Sequence, residues 1–332
     1  MSAKSQVLGA NQPADRFYRG GERIAAFRRS GTAASRTPED WVGSVTPLFG
    51  EVHLGRTVLS DGDLLADAVA ADPVGWLGAA HVSRFGTDTA LLVKLLDAGE
   101  RLPVHAHPDV PFARRHLGLV HGKTEAWIFL EGAEVSLGFS RDVGVEELAE
   151  WVERQRVEDM LGAMHTLRVT SGDVVFVPAG MPHAIGEGAL LVELQEPTDL
   201  SILMEWRGFA IDGESHGHLG LGFETALAAV DRRGRTRAEL SSLVTATAGD
   251  VGDLLAPASD FFRAERLRGS TPWDEGFSVV VCVDGEAMAT AESGEVLRLE
   301  RGTTALTAHA SGAWSVAAGG DFEAIRCRPP RA

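Results

Sequence analysis

The sequence predicts a mainly β protein built from two barrels in tandem, with helices inserted in and between them. Two long stretches of the chain consist of short β-rich runs separated by glycine and proline, which is typical of antiparallel barrels and sandwiches. In each stretch a glycine is followed six residues later by a similar turn segment, which starts at Pro178 after Gly172 and at Ala308 after Gly302. Apolar residues at helical spacing separate the two stretches.

The elements can be placed in chain order from the spacing of apolar residues. Residues 1–60, rich in Gly, Arg and Ser, predict loops and edge strands, and residues 91–100 predict a buried strand that ends in a turn. Residues 61–78 have helical spacing, which ends at Pro73. Further helices are predicted within 143–165 and 222–244, and short strands from 166 onward and across 260–328.

This pattern predicts three units. Residues 1–215 form a metal-binding barrel with helical insertions, residues 216–255 a helical linker, and residues 256–332 a degenerate second barrel. The second barrel has Ala308-His309-Ala310 where a ligand-bearing turn would stand, so we interpret it as a scaffold that binds no metal.

Charge and composition restrict the partners of the chain. Its formal net charge of −16 argues against nucleic acid or an anionic membrane as the main partner. No apolar stretch approaches the ~20 residues of a transmembrane helix, and the polar N-terminus has no apolar signal region. We expect a cytoplasmic protein whose partner is a small molecule.

Four residues have the order and spacing of one metal site. His105 and His107 are two residues apart, so on a strand their imidazoles point to the same face. Glu125 and His183 follow, each near a glycine turn. Three imidazoles and one carboxylate suit Zn, Fe, Mn, Co or Ni alike, and leave coordination positions open as catalytic sites do.

The surrounding glycines and proline make these residues resemble the two cupin motifs. The first motif reads Gly99, five residues, His105-x-His107, then Glu125, six residues and a glycine; its only unusual feature is the long separation between His107 and Glu125. The second reads Gly172, five residues, P-x-G-x-x and His183. The resemblance implies cupin (jelly-roll) barrels and one divalent metal.

A narrower resemblance is to class I mannose-6-phosphate isomerase. It is carried by LLVKLLDAGERLPVHAHPD, HGKTEAWIFLEG and GDVVFVPAGMPHAIGEGALLVELQEPTD, and extends over most of residues 38–320. The family holds zinc with a glutamine, two histidines and a glutamate. Carried over, these ligands become His105 in place of the glutamine, His107, Glu125 and His183. The implied reaction is interconversion of an aldose and a ketose, which needs a proton-transfer group and stabilisation of an enediolate.

The resemblance also suggests catalytic residues and exposes two departures. Lys123 has the strand parity of Glu125 and lies in the family's GKTE turn, and Glu193 stands where the family has a candidate proton-transfer carboxylate. The family serine before the first ligand is Pro103 here, and the family's active-site arginine falls at Leu203. Arg207 is the candidate substrate-binding replacement. Further candidates are Arg114, Arg115 and Arg141, each of which is by default a surface residue.

The sequence therefore favours a metal-dependent aldose–ketose isomerase acting on mannose 6-phosphate and fructose 6-phosphate or a related sugar. Pro103 and Leu203 remove phosphate partners, so a free sugar is also a plausible substrate. One alternative is an Fe or Mn cupin oxygenase or decarboxylase, which His105 favours, and another is a non-catalytic sugar-binding cupin, which Leu203 favours. The sequence does not indicate an oligomeric state.

Overall fold

Antiparallel sheets form most of the structure, a computed structural model that describes residues 3–246 and 252–332. The strands before residue 215 are β1 (Gln6–Leu8), β2 (Glu39–Val42), β3 (Leu92–Asp97), β4 (His105–Ala106), β5 (Glu125–Glu131), β6 (Glu134–Phe139), β7 (Met164–Arg168), β8 (Asp173–Val177), β9 (His183–Ile185), β10 (Leu190–Gln195) and β11 (Ile202–Leu203). The later strands are β12 (Val244–Ala246), β13 (Gly252–Asp253), β14 (Arg263–Arg268), β15 (Ser278–Asp284), β16 (Glu286–Ala291), β17 (Val296–Glu300), β18 (Thr304–Thr307), β19 (Trp314–Ala318) and β20 (Glu323–Arg328).

Short helices connect the sheets. They are α1 (Glu22–Arg28), α2 (Leu65–Ala71), α3 (Pro73–Leu77), α4 (Ala79–Phe85), α5 (Val110–His116), α6 (Val145–Glu153), α7 (Val157–Ala163), α8 (Gly213–His216), α9 (Phe223–Ala226) and α10 (Arg237–Ser241), with 3-10 turns at Leu227–Ala229, Ala256–Ala258 and His309–Ser311. Pro73 ends the first helical pattern as predicted and begins α3, because the Asp72 side chain accepts the Gly75 N–H and caps the new helix. The edge positions of β1 and β2 match the prediction for residues 1–60, but α1 was not predicted.

The sheets form two pairs. In the first pair, a six-stranded sheet of order β12-β8-β5-β10-β3-β2 faces a five-stranded sheet of order β11-β4-β9-β6-β7 across a shared apolar core that includes Trp127 and Phe129. In the second pair, a six-stranded sheet of order β1-β18-β15-β20-β14-β13 faces the three-stranded sheet β17-β16-β19. The two six-stranded sheets pack back to back through the largest core of the described residues, to which Val93, Ile128 and Ile325 belong.

Two segments cross the predicted domain boundaries. Gln6–Leu8 lies within the predicted first domain but pairs with β18 of the second six-stranded sheet, with Val7 opposite Ala305. The predicted linker 216–255 contains short helices, and its Val244–Ala246 then pairs with β8 as an edge strand of the first sheet. Residues 247–251 of that linker lie outside the described residues. The helices of residues 3–246 and 252–332 include none that is both long and apolar enough to cross a lipid bilayer.

The motif glycines are explained by close backbone approach. A Cβ on Gly132 would lie 2.2 Å from the Val169 carbonyl oxygen, and a Cβ on Gly99 would lie 2.8 Å from the backbone of Gly20. Gly180 has a φ of +85°, which L-residues with side chains rarely adopt. Gly99 and Gly132 therefore permit close backbone packing at strand ends, and Gly180 permits a left-handed turn three residues before His183.

Replacing Gly132 by alanine is expected to lower the free energy of unfolding by about 1–3 kcal/mol. The new methyl group would clash with backbone atoms, which can move away only by distorting the strands. Gly162→Ala is the matched control: a Cβ there has nothing within 4 Å. Because Gly162 lies inside α7, this change should stabilise the protein by up to about 1 kcal/mol. Urea unfolding of both variants measures this, and equal stabilities would contradict the packing account.

Candidate metal centre

Two sheets bring the predicted ligands together. His105 on β4 stands directly opposite His183 at the start of β9, both in the five-stranded sheet. His107 follows β4, and Glu125 is the first residue of β5 in the facing six-stranded sheet. The three imidazole rings lie 4.1–5.0 Å apart between centroids. One candidate ligand nitrogen from each histidine lies within 4.8 Å of the others, so these three can hold one metal ion.

Backbone carbonyls orient all three imidazoles in the same way. Each Nδ1 lies within hydrogen-bond distance of a main-chain oxygen, and because a carbonyl only accepts, each Nδ1 must carry the hydrogen. The partners of His105, His107 and His183 are the carbonyls of Pro103 (2.8 Å), Leu200 (2.6 Å) and Met181 (2.8 Å). Each Nε2 is thereby left with its lone pair, the arrangement typical of metal-binding histidines.

The Glu125 carboxylate faces two of these lone pairs. Its Oε2 lies 3.1 Å from Nε2 of His107, and its Oε1 lies 3.3 Å from Nε2 of His183. Nε2 of His183 is buried without a hydrogen-bond partner among the described residues. Acceptors that face one another out of water repel, so a cation between them would relieve the repulsion. The donor set therefore fits a divalent metal.

The pKa shifts of the candidate ligands favour the protonation states that bind a metal. Burial, reinforced by the other two imidazoles and the Lys123 ammonium, holds the pKa of His105 well below its usual range. Burial and Lys123 lower the pKa of His107 to about 3. Burial by itself raises the pKa of Glu125, but the attraction of the Lys123 ammonium, whose Nζ lies 2.7 Å from Oε2, outweighs it and holds that pKa well below the usual range. Neutral imidazoles and an ionised carboxylate are the forms that bind metal.

The two predicted catalytic residues lie beside this cluster. Lys123 precedes β5, and its Nζ is 2.7 Å from Oε2 of Glu125 and 3.0 Å from Nε2 of His107. Glu193, on β10, has its Oε1 3.9 Å from Nζ of Lys123. Burial raises the pKa of Glu193 to about 7 despite the neighbouring lysines. Such a carboxyl can both accept and return a proton near neutral pH.

Further charged residues share the cavity but were not predicted. Nζ of Lys94, on β3, lies 3.7 Å from Oε2 of Glu193, 3.6 Å from Oε2 of Glu39 and 3.5 Å from Oδ1 of Asp199, and it also lies 4.4 Å from the ring centre of Trp41. The sequence does contain a signal for Lys94: it pairs directly opposite Glu193 on the adjacent strand, so the two side chains lie on the same face of the sheet. Arg16 completes the group from the N-terminal segment, with Nη2 3.4 Å from Oε1 of Glu39.

These groups line one cavity of about 410 Å³ that reaches the metal cluster. Its walls include Lys123, Glu125 and Glu193 together with His105. Leu203, where the resemblance expected an arginine, also lines it and pairs with His105 across β11 and β4. The cavity therefore holds candidate metal ligands, an acid–base candidate and room for a small molecule.

Arg207, the predicted substrate-binding residue, does not lie at this cavity. Its guanidinium is exposed and donates to the carbonyl of Arg154. The cause is local: Gln155 accepts hydrogen bonds from the backbone N–H groups of Trp206 and Arg207, so the chain turns outward after β11. The other arginine candidates are exposed too, and the cavity wall includes none of Arg114, Arg115 and Arg141.

The GKTE turn is held by the side chain of Glu196, which directly follows β10. The Glu196 carboxylate accepts the backbone N–H groups of Gly122 (3.3 Å) and Thr124 (2.8 Å). His121 lies between two acids, with Nε2 2.6 Å from Oδ2 of Asp88 and Nδ1 3.8 Å from Oε1 of Glu196. Burial lowers the pKa of His121, but the two carboxylates outweigh burial and raise it to about 9.

In the C-terminal unit, Ala308 precedes a 3-10 turn over His309–Ser311. The ring of His309 lies against Gly78, where a Cβ would be 3.0 Å away. Inside the second sheet pair, Arg326 lies between Asp274 and the Ser278 hydroxyl. In the register of β14 and β20, Arg326 stands opposite Glu265.

Replacing His183 by alanine is expected to abolish stoichiometric metal binding, because it removes one of the three buried imidazoles that could bind the ion. Metal content of the purified variant, measured by mass spectrometry of the eluted ions, tests this. His309→Ala is the matched control and should keep the wild-type metal content. One metal per chain in His183→Ala would show that the assignment is wrong.

The raised pKa of His121 predicts a loss of stability in mild alkali. An unfolded histidine titrates near 6.5, so the contribution of His121 is complete below that pH and is lost as the pH rises through about 9. We expect about 1–2 kcal/mol, reduced by partial exposure. Urea unfolding at pH 6.5 and 9.5 should show this loss in the wild type and not in His121→Gln; equal pH dependence in both would contradict it.

Comparison with known proteins gives partial sequence matches and a full-length fold match. No family model matches the chain. A mannose-6-phosphate isomerase from Streptococcus mutans is 36% identical over 134 residues, which are 38% of this chain and 41% of that protein. The mannose-6-phosphate isomerase ManA of Bacillus subtilis is 37% identical over 112 residues, or 33% of this chain and 34% of its own length. The match therefore spans less than half of each relative.

Solved structures match over nearly the whole chain. The mannose 6-phosphate isomerase of Bacillus subtilis superimposes with a TM-score of 0.70 and 19% identity, covering 98% of this chain and 100% of that one. A variant of phosphomannose isomerase from Salmonella typhimurium gives a TM-score of 0.73 at 17% identity, with 99% and 100% coverage. A proposed mannosephosphate isomerase from Archaeoglobus fulgidus gives 0.76 at 20% identity, with 99% of each chain covered. The chain therefore has the fold of the mannosephosphate isomerases.

Proposed function

We propose that the protein is a metal-dependent aldose–ketose isomerase of the mannose-6-phosphate isomerase type. Its substrates would be mannose 6-phosphate and fructose 6-phosphate or a related sugar. The observation that carries the proposal is the position of Glu193. Its Oε1 lies 3.9 Å from Nζ of Lys123, and that Nζ lies 2.7 Å from Oε2 of the candidate ligand Glu125. Curated relatives that bear the isomerase name, at 36–37% identity over part of the chain, add support.

The metal would be held by His105, His107, Glu125 and His183, with zinc as the expected ion. When bound, the metal supplies a positive charge that polarises a sugar oxygen. The residues around it set the geometry: the carbonyl partners of the histidines fix the imidazoles, and the facing sheet fixes the carboxylate. This assignment is supported by the lone pairs that converge on one point.

The reaction moves one proton between neighbouring carbons of an open-chain sugar. Glu193 would take the proton from C2 of the aldose, so that the C–H electrons form the enediolate double bond. The electrons of the C1 carbonyl would move onto O1 in the same step. Glu193 would return its proton to C1 while the hydroxyl proton of O2 passes to O1, which gives the ketose with no net change in the enzyme. Lys123 would donate a hydrogen bond to the oxygen that gains charge. Lys94, opposite Glu193 on β3, would keep the carboxyl group aimed into the cavity.

A second candidate is an Fe or Mn oxygenase or decarboxylase, favoured by the third histidine at position 105. The ligand set of three histidines and one glutamate suits either ion. Metal analysis of protein purified without added metal separates the two. Iron with oxygen-dependent turnover of a non-sugar substrate would favour the second candidate. Turnover of any sugar would exclude the remaining alternative, a sugar-binding protein without catalysis.

The domain organisation is a second part of the proposal. We infer that the two sheet pairs are two jelly-roll barrels in tandem, a metal-binding barrel within residues 1–215 and a scaffold barrel within 256–332, joined through 216–255. Pairing of β1 with β18 would tie the N-terminal segment to the scaffold. The partner would be a small sugar or sugar phosphate in the cytoplasm, which remains the prediction from the sequence.

Lys123→Ala and Glu193→Gln are expected to lower isomerase turnover by about 10²–10⁴-fold, because each removes a group that handles a proton or the charge on oxygen. Both variants should keep the metal, since neither is a ligand. Conversion of aldose to ketose is followed by NMR on metal-loaded protein. Glu134→Gln, an exposed change on β6, is the control. Near-wild-type turnover in both variants would contradict the mechanism.

A further inference from the structure

The loop that carries Lys123 has no ladder of backbone hydrogen bonds to hold it. Residues 121–124 belong to no helix or strand and lead directly into β5. The ammonium group is nevertheless closely placed, because its Nζ lies 2.7 Å from Oε2 of Glu125 and 3.0 Å from Nε2 of His107. A misplacement of about 1 Å in a catalytic group can cost about 100-fold in rate. Groups outside regular secondary structure must therefore fix this loop.

The segment that follows β10 holds the loop on both sides of Lys123. The Glu196 carboxylate accepts the backbone N–H groups of Gly122 and Thr124, and the Glu196 N–H donates to the Thr124 carbonyl at 3.0 Å. The Thr198 hydroxyl donates to the Gly122 carbonyl at 2.6 Å. The two residues that flank Lys123 therefore have their backbone groups bound by one short segment, and Glu196 provides most of these bonds.

Glu196 is buried and lies beside a positive charge. Oε1 of Glu196 is 3.8 Å from Nδ1 of His121, whose Nε2 is 2.6 Å from Oδ2 of Asp88. Burial lowers the pKa of His121, but the two carboxylates raise it to about 9, so this imidazole is protonated at neutral pH. Hydrogen bonds to an ionised carboxylate are about twice as strong as those between neutral groups. The Glu196 side chain is thus well suited to hold the backbone of the loop.

Glu196 lies on the same stretch of chain as the acid–base candidate. Glu193 precedes it within β10, and Oε1 of Glu193 lies 3.9 Å from Nζ of Lys123. By holding the loop, Glu196 sets the distance between the proton-transfer carboxyl and the ammonium that stabilises charge on oxygen. Glu196 itself is not one of the described residues that line the metal cavity. It can therefore affect the reaction only through the groups that it holds.

We propose that Glu196 is a positioning residue whose carboxylate holds the loop 121–124 and thereby places the Lys123 ammonium beside Glu125 and Glu193. This inference rests on the proposed isomerase function and adds a residue to the same site. Without the carboxylate, two buried backbone N–H groups of the loop would lack an acceptor. A buried donor without a partner is costly, so the loop would move to satisfy them and would displace Lys123.

The first test measures turnover of mannose 6-phosphate and mannose by metal-loaded full-length variants. Glu196→Ala should lower kcat and kcat/KM equally, by about 100-fold, because it weakens a contact made in the transition state. Glu196→Gln keeps one acceptor oxygen and should lose about 10-fold or less. Glu187→Ala removes an exposed carboxylate just before β10 and is the matched control. If both Glu196 variants unfold at lower urea concentration but keep the wild-type kcat, the role is only structural and the inference is overturned.

The second test asks whether Glu196 acts through Lys123. In a Lys123→Ala background, Glu196→Ala should lower kcat by about 2-fold or less, because the group that it positions is already gone. A loss of about 100-fold in both backgrounds would show that Glu196 acts by another route, and it would overturn the inference.

A third measurement needs no turnover, so it decides the placement of Lys123 even if no sugar reacts and the isomerase proposal fails. The chain has three lysines, Lys4, Lys94 and Lys123, so lysine labelled with carbon-13 at Cε gives three NMR signals. Lys123→Ala identifies one of them. Glu196→Ala should shift or broaden the Lys123 signal and leave that of the exposed Lys4 unchanged, and Glu187→Ala should leave all three unchanged. An unshifted Lys123 signal in Glu196→Ala would overturn the inference.

Discussion

The candidate metal centre depends on the three carbonyl oxygens that accept the Nδ1 hydrogens of the histidines. Those bonds fix one tautomer, so that every Nε2 lone pair points into the space that Glu125 also faces. Without an ion the site brings acceptors together out of water, which is a costly arrangement. The fold imposes it, because His105 and His183 stand opposite each other on neighbouring strands while Glu125 comes from the facing sheet.

Acidic and basic side chains alternate along a line that leads outward from this centre. Glu125 pairs with Lys123, Lys123 approaches Glu193, and Glu193 approaches Lys94, which in turn meets Asp199 beside Arg16. Such a chain stabilises buried ions that would be costly alone. It also keeps the acid–base candidate Glu193 between two cations.

The convergence of these four side chains could be predicted from sequence because the pattern is local: strand parity places His105 and His107 on one face, and fixed glycine offsets place Glu125 and His183 at strand starts. The position of Arg207 could not be predicted, because the backbone N–H bonds to Gln155 that turn the chain outward join residues about fifty positions apart. Arg16 was missed for a similar reason. Its segment is held at the cavity by backbone hydrogen bonds to distant residues, from Arg16 N–H to Arg36 and from Ala210 N–H to Phe17, and its sequence has no periodic signal.

The central claim is that three imidazoles and one carboxylate bind a single divalent ion. X-ray absorption spectroscopy of the metal-loaded protein counts these ligands directly, because imidazole rings scatter with a signature that carboxylates lack. The account predicts one ion per chain with three imidazole nitrogens and at least one carboxylate oxygen in its coordination sphere. A spectrum that requires two or fewer imidazoles would contradict it.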